Sequence, residues 1–374
     1  MTHSSRRLRL SAAIDTAGLD AMLVTDLINV RYLSGFTGSA GALLVYADQR
    51  PALLATDGRY RTQAARQAPD LPAAIERAGA SHLVGQAAAA GVGRLGFEAH
   101  VVTVDGFDTL AAALCAADGA VAGAELVRAS GAVEALREAK DAGEVALLRL
   151  ACEAADAALG ALVERGGLRP GRTEREVARD LEALLLDHGA DGASFETIVA
   201  AGPNSAIPHH RPTEAVLTAG DFVKIDFGAL VAGYHSDMTR TFVLGRPADW
   251  QQEIYQVVAA AQRAGREALR PGAALRDVDA AARGVIADAG YGKTFGHGLG
   301  HGVGLRIHEA PGINATADGT LLAGAVVTVE PGVYLADRGG VRIEDTLVVG
   351  GDSPAAAGTH PELLTRFPKE LTTL

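Results

Sequence analysis

The sequence predicts two domains, a smaller α/β domain over residues 1–130 and an α+β domain over residues 131–374. Three observations lead there. The chain has 374 residues, more than one ordinary hydrophobic core organises. Short apolar strands and helical segments alternate as far as residue 127, as an α/β domain requires. Beyond residue 131, amphipathic helices come in pairs, set between strands that read as antiparallel hairpins.

Residues 6–17 read as an opening helix with Leu10, Ala13, Ile14 and Ala17 on one face, and Gly18 as its stop. AMLVT (residues 21–25) is a short apolar strand. Residues 42–46 and 52–55 are two more, joined by the polar turn ADQRP. Asp57 opens a helix that runs through Arg66, and residues 93–98 carry a further strand. VEALREAKD (residues 133–141) begins a charged helical segment that resumes at 144–159 after Gly143, and the domain junction falls near Ser130. Thr173 and Glu176 form a capping box that starts a helix over residues 173–187. Residues 248–269 and 275–289 are two further helices.

Composition narrows the function. Net charge is −11 and no block of Lys and Arg stands out, which argues against nucleic acid and against an anionic membrane surface. No apolar run approaches the ~18 residues that span a bilayer. The basic start MTHSSRRLRL is followed by SAAIDTAGLD and not by an apolar stretch, so no signal peptide is expected and the chain reads as cytoplasmic. Cys115 and Cys152 lie in Ala-rich helical contexts and read as reduced core residues, with no metal-binding spacing.

FGHGLGHGVGLRIHE (residues 295–309) is the stretch that neither helix nor plain strand explains. Each glycine costs a helix interior about 1 kcal/mol relative to Ala, and glycine weakens strands too. It does let the backbone approach a neighbour closely. His297, His301 and His308 sit among these glycines and suggest metal or proton chemistry. No frame places three glycines at G-x-G-x-x-G, so this is not a dinucleotide loop. His297 and His301 have H-x-x-x-H spacing, but Gly298 stands where a zincin would carry its general-base Glu.

Carboxylates in apolar strands give the histidines a context. FVKIDFG (residues 222–228) places Asp226 between Ile225 and Phe227. YHSDMTRTFV (residues 234–243) reads as its hairpin partner, with Asp237 on the face of Thr239 and Thr241. VVTVEP (residues 326–331) ends in Glu330, where Pro331 stops pairing. GVRIEDTLVV (residues 340–349) reads as one strand with Arg342 and Glu344 on one face. Buried carboxylates are expensive unless paired, hydrogen-bonded or bound to metal. Two divalent cations would neutralise four of them. Oxygen-rich ligands with a single imidazole favour manganese, with cobalt, zinc or iron as alternatives.

These residues, in this order, resemble the metal set of the methionine-aminopeptidase/prolidase/creatinase superfamily, and in detail the Xaa-Pro peptidases of the aminopeptidase P and prolidase group. The segments that carry the resemblance are AGPNSAIPHHRPT, KIDFGALVAGYHSDMTRTF, GHGLGHGVGLRIHEAPG, TVEPGVY and GVRIEDT, which cover most of residues 200–346. NVRYLSGFTGSAGALLV and ATDGRYRTQA are similar, more loosely, to the family's N-terminal domain, and LTRFPKEL to the tail of short bacterial members. The resemblance implies a C-terminal pita-bread domain preceded by a creatinase-like α/β domain that gates substrate and forms a homodimer. It implies two metal ions held by Asp226, Asp237, His301, Glu330 and Glu344. It implies His209, His297 and His308 as catalytic histidines that are not ligands, Glu330 as a proton shuttle, Arg342 as a positioning group, and Tyr334 as pocket lining. The expected reaction is removal of the first residue from peptides with proline second. A dipeptidase restricted to Xaa-Pro dipeptides is the near alternative. A metal-free creatinase-type hydrolase lacks the acidic set, and a non-catalytic binding module of the same fold would have lost ligands.

Overall fold

The computed structural model describes residues 1–350 and 360–374. They form two compact units, Met1–Arg137 and Glu138–Leu374.

The first unit is built on a six-stranded sheet. Its strands are β1 (Ala21–Val24), β2 (Ala42–Tyr46), β3 (Leu53–Thr56), β4 (Ala73–Ile75), β5 (Arg94–Phe97) and β6 (Glu125–Arg128), in the spatial order β4-β3-β2-β1-β5-β6. β1 to β3 pair antiparallel as a meander, whereas β1–β5, β5–β6 and β3–β4 are parallel. Helix Arg61–Gln67 lies in the crossover from β3 to β4, helix Gly79–Ala89 leads into β5, and helix Val104–Cys115 connects β5 to β6. The opening helix spans His3–Thr16, and Gly18 follows it at φ +69°, as a helix stop requires. Its buried stripe is Arg6, Arg7, Leu10, Ser11 and Ile14, while Ala13 and Ala17 are exposed. Two arginines displace the alanines because Arg6 donates to Tyr32 O and Arg7 to Leu33 O, partners that hydropathy does not register. Cys115 is exposed, correcting the core reading. It ends its helix one position beyond the buried Leu114, and about 100° of rotation turns it to solvent. Cys152 is buried as expected.

The second unit carries two helix pairs, each laid on its own antiparallel sheet. Helices Ala142–Glu164 and Glu174–Asp187 pack on a sheet of Met238–Val243, Phe222–Phe227 and Ile198–Ala201. Helices Asp249–Ala268 and Leu275–Asp288 pack on a five-stranded sheet, in which Val326–Val329 lies between Gly300–Gly302 and Asp345–Val348. Ile254, Val258, Val278, Ala282 and Ile286 recur at helical spacing and meet Val327 and Val329 of that sheet. Each isoleucine and valine among them contributes roughly 1.5–3 kcal/mol on full burial. The capping box at Thr173 forms in both directions, Glu176 N to Thr173 Oγ1 and Thr173 N to Glu176 Oε2.

Three local features differ from the sequence reading. The helix expected over residues 133–141 is cut to Glu134–Glu138, because Asp141 is the cap of the long helix that follows. Asp237 lies just before strand Met238–Val243 and not within it. Ser236 interrupts the strand by accepting the Ala229 amide on its Oγ, and a Cβ on Gly228 would stand 1.8 Å from Ser236 O, so only glycine allows this crossing. Residues 340–349 form two strands, Gly339–Arg342 paired with Gly332–Leu335 and Asp345–Val348 paired with Val326–Val329. Glu344 sits at the switch between those sheets, and its own amide donates to Thr239 O. Among the described residues, no helix is long and apolar enough to cross a membrane.

Candidate metal centre

The strand ends of the second unit converge on a cavity of about 240 Å³. Asp226, Asp237, His301, Glu330 and Glu344 line it, with His209, His308, Phe195, Ile198 and Ile307. A larger surface groove of about 650 Å³ beside Tyr255 and Arg263 has no histidine in its lining.

Each candidate ligand has an identifiable support. Asp226 is the next-to-last residue of strand Phe222–Phe227 and forms an ion pair with the buried Arg342. Glu344 accepts from Thr239 Oγ1 at 2.7 Å, and that hydroxyl in turn accepts from Arg342 Nε at 3.0 Å. Glu330 follows the last residue of strand Val326–Val329, so its side chain leaves the ladder at the cavity. His301 is in the short strand Gly300–Gly302, whose register shifts between His301 and Gly302. A Cβ on Gly300 would lie 2.1 Å from Thr328 O, which explains why glycine must precede the histidine.

The donor set calls for a cation. His301 Nδ1 donates to Gly302 O, which fixes the tautomer and leaves a lone pair on Nε2. That nitrogen stands 3.5 Å from Asp237 Oδ2 and 3.5 Å from Glu330 Oε1. Burial depresses the His301 pKa to about 4, so at neutral pH its lone pair faces the Asp237 and Glu330 carboxyl groups. Ligand atoms of Asp237, His301 and Glu344 lie within 4.8 Å of one another. Asp226 Oδ1 and Glu344 Oε1 are buried without a partner. Burial, then Glu344, Asp226 and Glu330, push the Asp237 carboxyl up. Burial, then Glu330 and Asp226, raise Glu344, and burial lifts Glu330 to about 8. Buried acids crowded around an imidazole lone pair, with Asp226 Oδ1 and Glu344 Oε1 left unpartnered although Arg342 and Thr239 meet the other oxygens, fit divalent metal ions.

The remaining histidines divide by contact. His297 Nδ1 donates to Gly298 O, and its Nε2 accepts from Tyr334 Oη at 2.9 Å. Tyr334 Oη also accepts from Arg342 Nη1 at 2.9 Å, so Asp226, Arg342, Tyr334 and His297 form one connected chain. The Phe295–Leu299 segment is gripped from helix Leu275–Asp288. Arg283 donates to Phe295 O and His297 O, and Asp279 accepts from Leu299 N. His308 stacks edge-on against His301 with ring centroids 4.5 Å apart. His209 is exposed on the cavity wall. His210 turns away to the buried Glu174.

Sequence reasoning missed Lys224 and Glu174. Lys224 is fully buried two residues before Asp226, and its Nζ donates to Ile207 O at 2.6 Å and Pro208 O at 3.2 Å, ahead of His209. A lysine inside an apolar strand was the available signal. Glu174 gave none, because an acid in a helix's first turn is ordinary.

Residues 146–350 match the model of metallopeptidase family M24, and residues 6–139 match the creatinase/prolidase N-terminal domain. The chain is 39% identical over 359 residues to the uncharacterized peptidase YqhT of Bacillus subtilis, covering 96% of each. It superposes on an Xaa-Pro dipeptidase from Bacillus anthracis with a TM-score of 0.92 at 39% identity, covering 100% of both chains. An X-Pro aminopeptidase from Thermotoga maritima gives a TM-score of 0.85 at 32% identity, over 97% of this chain and 99% of that one.

Proposed function

Because the chain belongs to metallopeptidase family M24, we propose that it removes the N-terminal residue from peptides with proline in second position. The observation that carries the metal half is the His301 Nε2 lone pair set against Asp237 and Glu330 oxygens, beside the unpartnered Asp226 Oδ1 and Glu344 Oε1. Asp226, Asp237, His301, Glu330 and Glu344 would hold two divalent ions, manganese being the best match to so oxygen-rich a set. When bound, such ions supply Lewis acidity, polarising a carbonyl and bringing a water's pKa toward neutrality. The preference for proline is supported by the names of the similar solved enzymes from Bacillus anthracis and Thermotoga maritima.

The protein's own groups supply the rest. Glu330, kept ionised when metal is bound, would take a proton from the attacking water and return it to the departing amine. His209 and His308 present imidazoles to the substrate side of the cavity. His297 is held neutral, because burial brings its pKa to about 4, and it accepts the Tyr334 hydroxyl. Arg342 fixes Asp226 and Tyr334 together. Phe195, Ile198 and Ile307 give the cavity an apolar wall that a proline ring fits. The N-terminal unit is proposed to gate substrate and to carry a homodimer contact.

A second reading is a dipeptidase restricted to Xaa-Pro dipeptides. The cavity's 240 Å³ favours it, since pockets for larger ligands run to roughly 300–1,000 Å³. Hydrolysis of a matched Xaa-Pro dipeptide and Xaa-Pro-Yaa tripeptide, with manganese and with chelator, separates the readings. Cleavage of both, lost on chelation, is the aminopeptidase result. Cleavage of the dipeptide alone selects the dipeptidase. Cleavage of neither by the metal-loaded protein overturns the substrate assignment.

A further inference from the structure

We propose that Glu174 is a positioning residue for His209, closing the loop of residues 202–213 on which that histidine stands. The inference rests on the reading of His209 as a substrate-side group. His209 makes no hydrogen bond to any described residue, so the backbone of its loop sets the point from which its side chain reaches the cavity. That loop has no regular structure beyond the single turn Gly202–Ala206.

Glu174 is fully buried as the first residue of helix Glu174–Asp187, and five donors converge on its carboxylate. Oε1 accepts from Ala201 N at 2.8 Å and Asn204 Nδ2 at 2.9 Å, before the histidine. Oε2 accepts from His210 Nε2 at 2.8 Å, Thr213 N at 2.9 Å and Thr213 Oγ1 at 2.8 Å, after it. One side chain therefore ties together the two ends of the loop. Burial pushes the Glu174 carboxyl up, but the bonds from Ala201, Asn204, His210 and Thr213 outweigh it and leave the group below its ordinary value. Lys224 Nζ and Arg342 Nη1 hold the Ile207 and Pro208 carbonyls immediately ahead of His209. With the preceding carbonyls and the following imidazole both fixed, the His209 ring has little backbone freedom left. An apolar side chain in the same space would orphan all five donors, so the carboxylate is what holds the two ends of the loop together. The carboxylate adds direction, which a reacting group needs and a core does not.

The test is Glu174→Gln, alone and combined with His209→Ala. The amide offers one acceptor and one donor to five converging donors, so part of the staple opens. Hydrogen exchange at the Ala201 and Thr213 amides should quicken. Turnover of an Xaa-Pro substrate should fall roughly 10-fold or more while bound metal stays at the wild-type level. In the His209→Ala background the same substitution should change turnover by less than about 2-fold. An equal fold-loss in both backgrounds would overturn the proposal, since Glu174 would then act independently of His209. Unchanged exchange would overturn it too. If Glu174→Gln does not fold, Asn204→Ala and Thr213→Val each remove one donor, and the same dependence on His209 is required of them. If the wild-type protein cleaves no Xaa-Pro peptide, the functional reading fails separately, and exchange alone decides whether Glu174 closes the loop.

Discussion

Stripped of metal by a chelator, the protein should lose stability as pH rises from 6.5 to 8. Glu330 has its carboxyl raised from 4.5 to about 8. Between those values the folded protein keeps a proton that the unfolded chain has released, so stability falls as pH rises through the window. His297 and His301 act on the other side. Their pKa values drop from 6.5 to about 4, so their contribution is complete above 6.5 and is lost as pH falls toward 4. From pH 6.5 to 8, then, the carboxylates act without them, and the buried Lys224, lowered well below its ordinary value by burial, is the group that acts against them. At about 1.4 kcal/mol per unit over about 1.5 units, Glu330 alone accounts for about 2 kcal/mol. Asp237 and Glu344, raised by burial and by the neighbouring acids, add in the same direction. At roughly 2–4 °C per kcal/mol, the Tm of the chelated protein should fall by about 4–8 °C or more. Thermal unfolding followed by circular dichroism at the two pH values measures this. Manganese should abolish the fall by holding the carboxylates ionised in the folded state, and Glu330→Gln should reduce it. A chelated protein equally stable at pH 6.5 and 8 would refute the reasoning. So would a loaded protein that loses as much as the chelated one.

Other substitutions probe single parts of the site. Asp237→Ala or Glu344→Ala should lose bound metal and activity together, measured by elemental analysis and peptide hydrolysis; full activity in either removes the two-metal reading. His209→Ala should keep its metal while turnover falls about 100-fold or more, the range of a lost acid–base or charge-stabilising group. Loss of metal in that variant would mean that His209 is a ligand. Gly300→Ala places a Cβ 2.1 Å from Thr328 O, and backbone cannot yield as a side chain would. It should cost about 1–3 kcal/mol or more in denaturant unfolding and displace His301, with weaker metal binding.

How much of this was legible in the sequence depended on whether a residue announced its own cost. Asp226 between Ile225 and Phe227 and Glu330 ahead of Pro331 could be read, because a carboxylate inside or ending an apolar strand has few affordable roles. The glycines of residues 296–304 could be read as close approach, and Gly300 against Thr328 O is such a contact. The break at Glu344 could not. Alternation continues smoothly through residues 340–349 while the chain passes from one sheet to another, since pleat periodicity carries no information about which partner a strand has. The opening helix failed differently. Arg6 and Arg7 are buried because Tyr32 O and Leu33 O meet them, and a partner 26 residues away has no local trace. Glu174 and Lys224 belong to that class as well, being defined by what converges on them.

The central claim, that these five residues hold catalytic metal, is tested most directly by titrating the chelated protein with manganese while hydrolysis of an Xaa-Pro peptide is followed. No turnover is expected before metal is added. Activity should then rise with bound ion and level off at about two ions per chain. Turnover that is undiminished in the chelated protein, or that does not follow bound metal, would contradict the account.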